Sequence, residues 1–374
     1  MFDEVLCLSH LRWGFVFQRP NHLMSRCARD RRVFYVEEPH FDADEPRMDV
    51  DPVDGGLHVA IPHLPPGTAG DAVDRLLNGL LRQLVKHAAV KRPLLWLYTP
   101  MAIRMARGLP TSGMVYDCMD ELSHFDGAPA ELRQRETELF DAVDLVFTGG
   151  HSLYEAKRSR HPRVHAFPSS VDFGHFAKAR SPQHDPPDQA SIPRPRIGFF
   201  GVIDERLDLL LLEAIAAKRP DLHFVLVGPV VKIDRGRLPR RPNLHWLGQK
   251  HYSELPAYIA GWDVAFMPFA RNDATKFISP TKTLEYLAAG RPVVSTSIRD
   301  VVQPYGNENL VRIADEPRAF IAAIDTALAE RGTPAGVDHA QARDAMLAQT
   351  SWDHTWARMH ALVHEALAQR ARAR

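Results

Sequence analysis

The strongest constraint on this chain is that it runs twice through one alternation of short apolar segments and longer amphipathic ones. In the first pass, residues 4–9, 32–37, 94–99, 114–117 and 144–148 read as strands, and 20–29, 69–89, 130–142 and 152–160 as helices. Several of these strands are nearly continuous in Val, Leu, Phe and Tyr, as expected where helices cover both faces of a parallel sheet. A second pass follows, with strands at 196–201, 223–228, 244–247, 264–268 and 292–296 and helices at 207–218, 253–260 and 281–289. Between the two lies SPQHDPPDQASIPRPR, which has neither period and reads as an extended connector. At 374 residues the chain is too long for one ordinary core. The predicted fold is α/β: two Rossmann-like, doubly wound domains at 1–176 and 196–340, a linker at 177–195 and a helical segment at 341–374 that packs across. Two such sheets would present their carboxyl ends to one cleft, where open α/β sheets bind ligands.

Composition removes several functions. The 46 basic residues balance the 46 acidic ones, so no nucleic-acid partner is expected. Cys7, Cys27 and Cys118 stand far apart with no metal-ligand spacing, which argues against disulfides and zinc and for a reducing cytoplasm. The chain opens on a strand-like run rather than a signal peptide, and no apolar stretch is long enough to span a membrane, which leaves peripheral contact. The run 71–91 carries Leu76, Leu77, Leu80, Leu81, Leu84 and Val85 on one side, with Arg75, Arg82, Lys86, Lys91 and Arg92 nearby. It reads first as a core-facing helix; the other reading rests its basic edge, with an exposed Trp13 and Phe15, on anionic lipid at the inner face of the membrane.

The segment ISPTKTLEYLAAGRPVVST carries most of the chemistry. Ser279 suits an N-cap and Pro280 the first helical position, which would start a helix there. The amides of Thr281 and Lys282 would then lack intrahelical acceptors, and the Lys282 ammonium adds a charge to this anion site. Glu285 follows three residues later on the same face, placed to accept hydrogen bonds from ribose hydroxyls. The plainer reading is a capped surface helix with a weak Lys–Glu pair.

The order FFG-x4-R, HFVLVGP, LHWLG, DVAFMPF and SPTKTLEYLAAGRPVVST resembles the donor-binding half of GT-B glycosyltransferases of the large retaining family four, over roughly residues 196–313. SHLRWGFVFQRPNHL and YDCMDE are similar to the acceptor half of bacterial polysaccharide glycosyltransferases. The resemblance implies sugar transfer from a nucleotide-diphosphate sugar, UDP or GDP, to a glycan or lipid-linked acceptor, usually with retained configuration and without a required metal or other cofactor. It implies donor contacts at Gly14, Gly201, Arg206, Gly228, Gln249, Tyr252, Ser279, Pro280, Thr281, Lys282 and Glu285, with Arg206 and Lys282 neutralising the departing diphosphate. Asp120 is the catalytic candidate beside the anomeric carbon; its alternative is to cap the segment that follows. His10, and Arg19 and His22 where the next helix opens, could also face the cleft, though a lone histidine is more often structural than catalytic. One departure stands out. The family carries a second glutamate eight positions before the ribose-binding one, and here Phe277 occupies that place, with Asn272 and Asp273 the nearest substitutes. That departure keeps a non-catalytic nucleotide-sugar binder in play, and the fold also hosts epimerases and phosphorylases. No GxGxxG joins an opening strand to a helix, which disfavours a dinucleotide oxidoreductase.

Overall fold

A computed structural model describes residues 2–372. The chain forms two compact units, one made of the chain up to Pro168 together with the C-terminal helix from Trp352, the other of Ser169–Ser351.

The first unit is built on an eight-stranded sheet. Its strands are β1 (Glu4–Leu8), β2 (Arg32–Val36), β3 (Arg47–Asp54), β4 (Leu57–His63), β5 (Leu94–Leu97), β6 (Gly113–Cys118), β7 (Leu145–Thr148) and β8 (Val164–Ala166), in the order β3-β4-β2-β1-β5-β6-β7-β8. All pairs are parallel except the β3–β4 hairpin at the edge. The order reverses beside β1, so the loop after β1 occupies a topological switch point. Helices α1 (Arg19–Cys27), α2 (Asp71–His87), α3 (Ala102–Met105), α4 (Leu132–Ala142) and α5 (His151–Lys157) accompany the sheet. Leu77, Leu80, Leu81, Leu84 and Val85 of α2 are buried, so its apolar side is core.

An ion pair pins this unit from within. Arg19 at the start of α1 is 3% exposed and Asp117 of β6 is fully buried, with the guanidinium meeting the carboxylate at 2.9 Å. The remaining Arg19 donors reach the Phe167 carbonyl at 2.7 Å and approach Met359 Sδ of the C-terminal helix (Trp352–Arg372). One side chain thus ties together α1, β6, the segment after β8 and the last helix. His22 is buried too, stacked on Trp352 with ring centroids 4.6 Å apart. Arg19 and His22, which could have faced a cleft, are packed into the core of this unit instead.

The second unit has six parallel strands: β9 (Arg196–Phe200), β10 (His223–Val227), β11 (Leu244–Gly248), β12 (Val264–Met267), β13 (Val293–Ser295) and β14 (Arg312–Ile313). Their order, β11-β10-β9-β12-β13-β14, is the doubly wound Rossmann arrangement, with its switch point between β9 and β12. Its helices are α6 (Phe173–Phe176), α7 (Pro187–Ala190), α8 (Leu209–Lys218), α9 (Leu255–Ala260), α10 (Thr281–Ala288), α11 (Arg299–Val301), α12 (Pro317–Ala329) and α13 (Pro334–Leu347).

Here the structure corrects the expected boundaries. Residues 177–195 are no free linker but a strap on the second unit, with Ala179, Gln189 and Ile192 buried. Gln189 donates to the Tyr258 carbonyl at 3.0 Å and accepts from the Trp262 indole at 2.9 Å, while Asp185 pairs with the buried Arg196 at 2.6 Å. The division falls at Pro168/Ser169, and the 341–374 segment is split, since α13 belongs to the second unit and only the last helix to the first. Among the described residues, no helix is long and apolar enough to cross a membrane.

Breaking the Arg19–Asp117 pair from one side strands a buried charge. Arg19→Met should therefore cost about 3–5 kcal/mol, and Arg19→Met/Asp117→Leu should recover much of it. Urea denaturation followed by tryptophan fluorescence checks both, since Trp96 and Trp352 lie in the same core.

Candidate active site

The site is assembled where β9 and β10 end. Gly201 and Gly228 follow these strands with φ of +138° and +151°, values that side-chain-bearing residues rarely adopt. A Cβ on Gly228 would stand 1.8 Å from the Gly201 carbonyl oxygen, and one on Gly201 would stand 2.0 Å from Lys282 Cε. Gly201 leaves the room through which the Lys282 chain crosses the end of β9, and Gly228 lets its own strand end lie close against the Gly201 backbone. Its ammonium lies 5.8 Å from the centre of the Phe199 ring.

The helix that carries Lys282 is fastened by its own next turn. The Tyr286 hydroxyl, fully buried, accepts the Phe200 N–H at 2.9 Å, one residue before Gly201. Pro280, not Ser279, occupies the cap position of α10, and the helix begins at Thr281 with no side-chain cap. The cause lies in Ser279, whose carbonyl accepts the Ser169 hydroxyl at 2.9 Å and which is held in the preceding loop. The Thr283 N–H donates to the Pro280 carbonyl at 3.1 Å, and a helix start of this kind, with a lysine in its first turn, suits an anion.

Glu285 is 5% exposed, and no hydrogen bond or ion pair to its carboxylate is found among the described residues. Burial pushes this carboxyl up to about 7, against the opposing pull of Lys282. A buried acid without a protein partner is costly, and a ligand that donates hydrogen bonds would offset the cost.

Arg206 sits in the loop after β9. Its guanidinium grips the buried Asp204 carboxylate, with Nη2 to Oδ2 at 2.7 Å, and Asp204 also accepts the Arg206 N–H at 3.0 Å. The same loop is tied to the one after β12: Ala270 N–H donates to the Arg206 carbonyl at 2.8 Å, and Asn272 Nδ2 to the Glu205 carbonyl at 3.1 Å. Asn272 Oδ1 meanwhile accepts the Thr275 N–H at 3.1 Å, so this side chain is engaged as a loop cap. Around β11, Gly228 N–H donates to the Gly248 carbonyl at 2.8 Å, Gln249 is exposed, and Tyr252 stacks on His175 at 4.2 Å. His175 Nε2 donates to the Tyr252 carbonyl at 3.0 Å, and burial lowers the imidazole's basicity.

Gly201, Arg206, Gly228, Lys282 and Glu285 are thus gathered at the carboxyl end of one sheet, with Gln249 and Tyr252 after the neighbouring strand. Gly14 and Asp120 belong to the other unit. Gly14 is exposed with open space about it. Asp120 is half-buried in the turn after β6, where its carbonyl lies 3.6 Å from Cys118 Sγ. Its neighbour Glu121 is anchored on Lys157 at 2.6 Å, and Lys157 is held in turn by Glu136 at 2.7 Å. Burial acts to raise the Glu121 carboxyl, but the hydrogen bond and charge of Lys157 outweigh it and hold it below its ordinary range. The loop after β1 is fixed likewise: the buried Glu37 accepts the Trp13 N–H at 2.7 Å and meets Arg12 at 3.2 Å. Trp13 is part-buried against Tyr35, not exposed as expected.

The family model for glycosyl transferases group 1 matches residues 194–330, which spans the whole constellation around Lys282. The chain is a glycosyltransferase of the GT-B fold. TuaH of Bacillus subtilis, a glycosyltransferase named for teichuronic acid biosynthesis, is 26% identical over 279 residues, covering 68% of this chain and 69% of its own. Among solved structures, sucrose-phosphate synthase from Thermosynechococcus elongatus is similar in fold, with TM-score 0.72, 15% identity and coverage of 98% of this chain and 100% of its own. Anabaena HepE in complex with UDP and glucose gives TM-score 0.66 at 14% identity, covering 96% of this chain and 99% of its own.

Two anchors of this glycosyltransferase were not singled out in sequence. Tyr286 sits beside Glu285 in the LEYL run and could have been read as a residue facing the strand. The second is Asp204, two residues before Arg206, whose buried carboxylate holds the guanidinium.

Two outcomes are expected. Gly201→Ala should cost about 1–3 kcal/mol through backbone strain and the clash with Lys282. Adding Lys282→Ala should return part of that cost, giving a non-additive double-mutant cycle in thermal or urea unfolding. Glu285 has a folded pKa of about 7 against an ordinary 4.5, so the folded state holds this proton more tightly. The stability it contributes is full below about 4.5 and lost as pH rises through 7. Glu285→Gln should therefore gain on the wild type between pH 5 and pH 8, by roughly 2–3 kcal/mol, when unfolding is measured at both.

Proposed function

We propose that the protein transfers a sugar from a nucleotide-diphosphate donor to a glycan or lipid-linked acceptor, with retained configuration and without a metal. The observation that carries this reading is the buried Glu285 carboxylate, for which no hydrogen bond or ion pair is found among the described residues, one turn behind Lys282 on a helix whose start suits an anion. A diphosphate suits the helix start and the ammonium, and the two hydroxyls of a ribose suit the carboxylate. Lys282 and Arg206 would supply the positive charge that stabilises the leaving diphosphate. Asp204 holds the Arg206 guanidinium in one orientation, which lowers the cost of fixing it on phosphate. Gln249 and Tyr252 after β11 would border the base. Gly14 would let the backbone of the other unit approach the donor, and Asp120 would stabilise the anomeric centre. Either UDP or GDP would serve as the nucleotide of the donor. The kinship to a teichuronic acid glycosyltransferase supports a polysaccharide or another cell-surface glycan as the acceptor class.

A thermal-shift series with UDP, GDP, ADP and dTDP tests the reading first, because a ligand of the folded state raises its melting temperature. One of UDP or GDP should stabilise the wild type, and Lys282→Ala should abolish most of that shift. With the matching sugar donor, Lys282→Ala and Arg206→Ala should lower turnover at least tenfold, whereas Glu285→Gln should chiefly raise the donor KM. Turnover should persist in EDTA, with the donor's anomeric configuration kept in the product by NMR. Unchanged kinetics in both cation variants would remove the site assignment.

A further inference from the structure

Beside the start of α10 lies a cavity of about 630 Å³, walled by the loop after β12 and the loop after β13. Three cationic side chains line it: Arg271, Lys276 and Arg299. Arg271 shares its charge with Asp315 at 3.3 Å and Glu316 at 3.9 Å. Lys276 and Arg299 are exposed, and no carboxylate within 4.0 Å of either is found among the described residues. Asp273 is the one acid on the wall. Phe277 adds an aromatic surface. With Arg271 shared by two carboxylates and Asp273 on the wall, Lys276 and Arg299 leave a positive balance that suits an anionic guest with an apolar face.

Its position narrows the guest. The wall residues 271–277 run through Ile278 and Ser279 directly into the first turn of α10, while Glu285 stands one turn further into the helix. If the diphosphate rests at Lys282 and the ribose at Glu285, the opposite end of the donor emerges toward Phe277. We propose that the transferred sugar is an acidic one, a uronic acid whose carboxylate is received by Lys276 and Arg299 while its ring rests against Phe277. This rests on the nucleotide-sugar reading given above. Lysine and arginine without acid partners have their charge available for a carboxylate, and a guanidinium can receive it through two parallel hydrogen bonds. An aromatic ring offers the apolar face of a pyranose a flat partner.

Isothermal titration of the full chain separates the possibilities, using UDP, UDP-glucose, UDP-galactose, UDP-glucuronate and UDP-galacturonate, with GDP, GDP-mannose and GDP-mannuronate in parallel. At least one uronate donor should bind about tenfold more tightly than its neutral counterpart, a preference that weakens with added salt. Arg299→Gln and Lys276→Gln should each reduce the preference severalfold and leave the affinity for UDP or GDP unchanged, which also shows that the variants are folded. Equal or weaker binding of every uronate donor overturns the proposal while leaving the nucleotide site standing. So does a uronate preference that survives in both variants. Saturable binding of glucose 6-phosphate with no donor preference would place an acceptor phosphate in the cavity and overturns it too. If neither UDP nor GDP binds, this proposal and the donor reading fall together.

Discussion

The contact on which the site of the second unit depends is the passage of the Lys282 side chain over Gly201. The lysine reaches the end of β9 because Gly201 carries no side chain there, and Tyr286 fastens the same helix to the Phe200 backbone. The glycines contribute space and the tyrosine contributes registry. Without the second, the first would be an empty notch; without the first, the tyrosine would hold the helix too far out. The cation, the amides of the first turn and the Glu285 carboxylate are consequently presented by one rigid body, and preorganisation of that kind lowers the reorganisation needed when charge develops on a departing group.

The other unit shows the same economy with different chemistry. Arg19 and Asp117 are paired out of contact with water, and the pair spends its remaining donors on the Phe167 carbonyl and on the last helix. A buried pair of this kind contributes little net stability compared with apolar packing, but it is intolerant of misplacement. It sets where α1, β6 and the C-terminal helix meet. Glu121, Lys157 and Glu136 act in the same sense on the turn that bears Asp120. Loops that would otherwise be mobile at the ends of strands are held by buried charges.

Much of this was legible in the residues. Continuous apolar runs such as Leu94–Leu97 and Val264–Met267 give parallel strands because helices exclude water from both their faces. The hairpin Arg47–His63 was missed because MDVDPVD mixes aspartates with a proline, a composition tolerated only on an exposed edge. The strap 177–195 reads as a linker by its prolines, while Gln189 and Asp185, which fasten it, look like ordinary polar residues until Trp262 and Arg196 are beside them. Arg19 and His22 were open to either a cleft or a structural role, because their partners, Asp117 and Trp352, lie 98 and 330 residues away in sequence. Local spacing reports on Lys282 and Glu285, which share a helix, and is silent on contacts made across a fold.

The two ends of that helix segment are in electrostatic tension, and the tension bears on how a donor would be selected. Lys282 draws the Glu285 carboxyl down, while burial drives it up to about 7. An anion placed on Lys282 shields this pull and by itself would favour the protonated, neutral acid. Hydroxyl donors reaching the carboxylate act in the opposite direction, since they stabilise its charged form. A bare diphosphate therefore meets only half of what the site offers and works against the other half. A molecule carrying both a diphosphate and a pair of hydroxyls, at the spacing set by one helical turn, satisfies the two together. On the proposed reading the buried carboxylate would act as a discriminator as well as a contact, favouring a nucleotide over simpler anions that offer no hydroxyls.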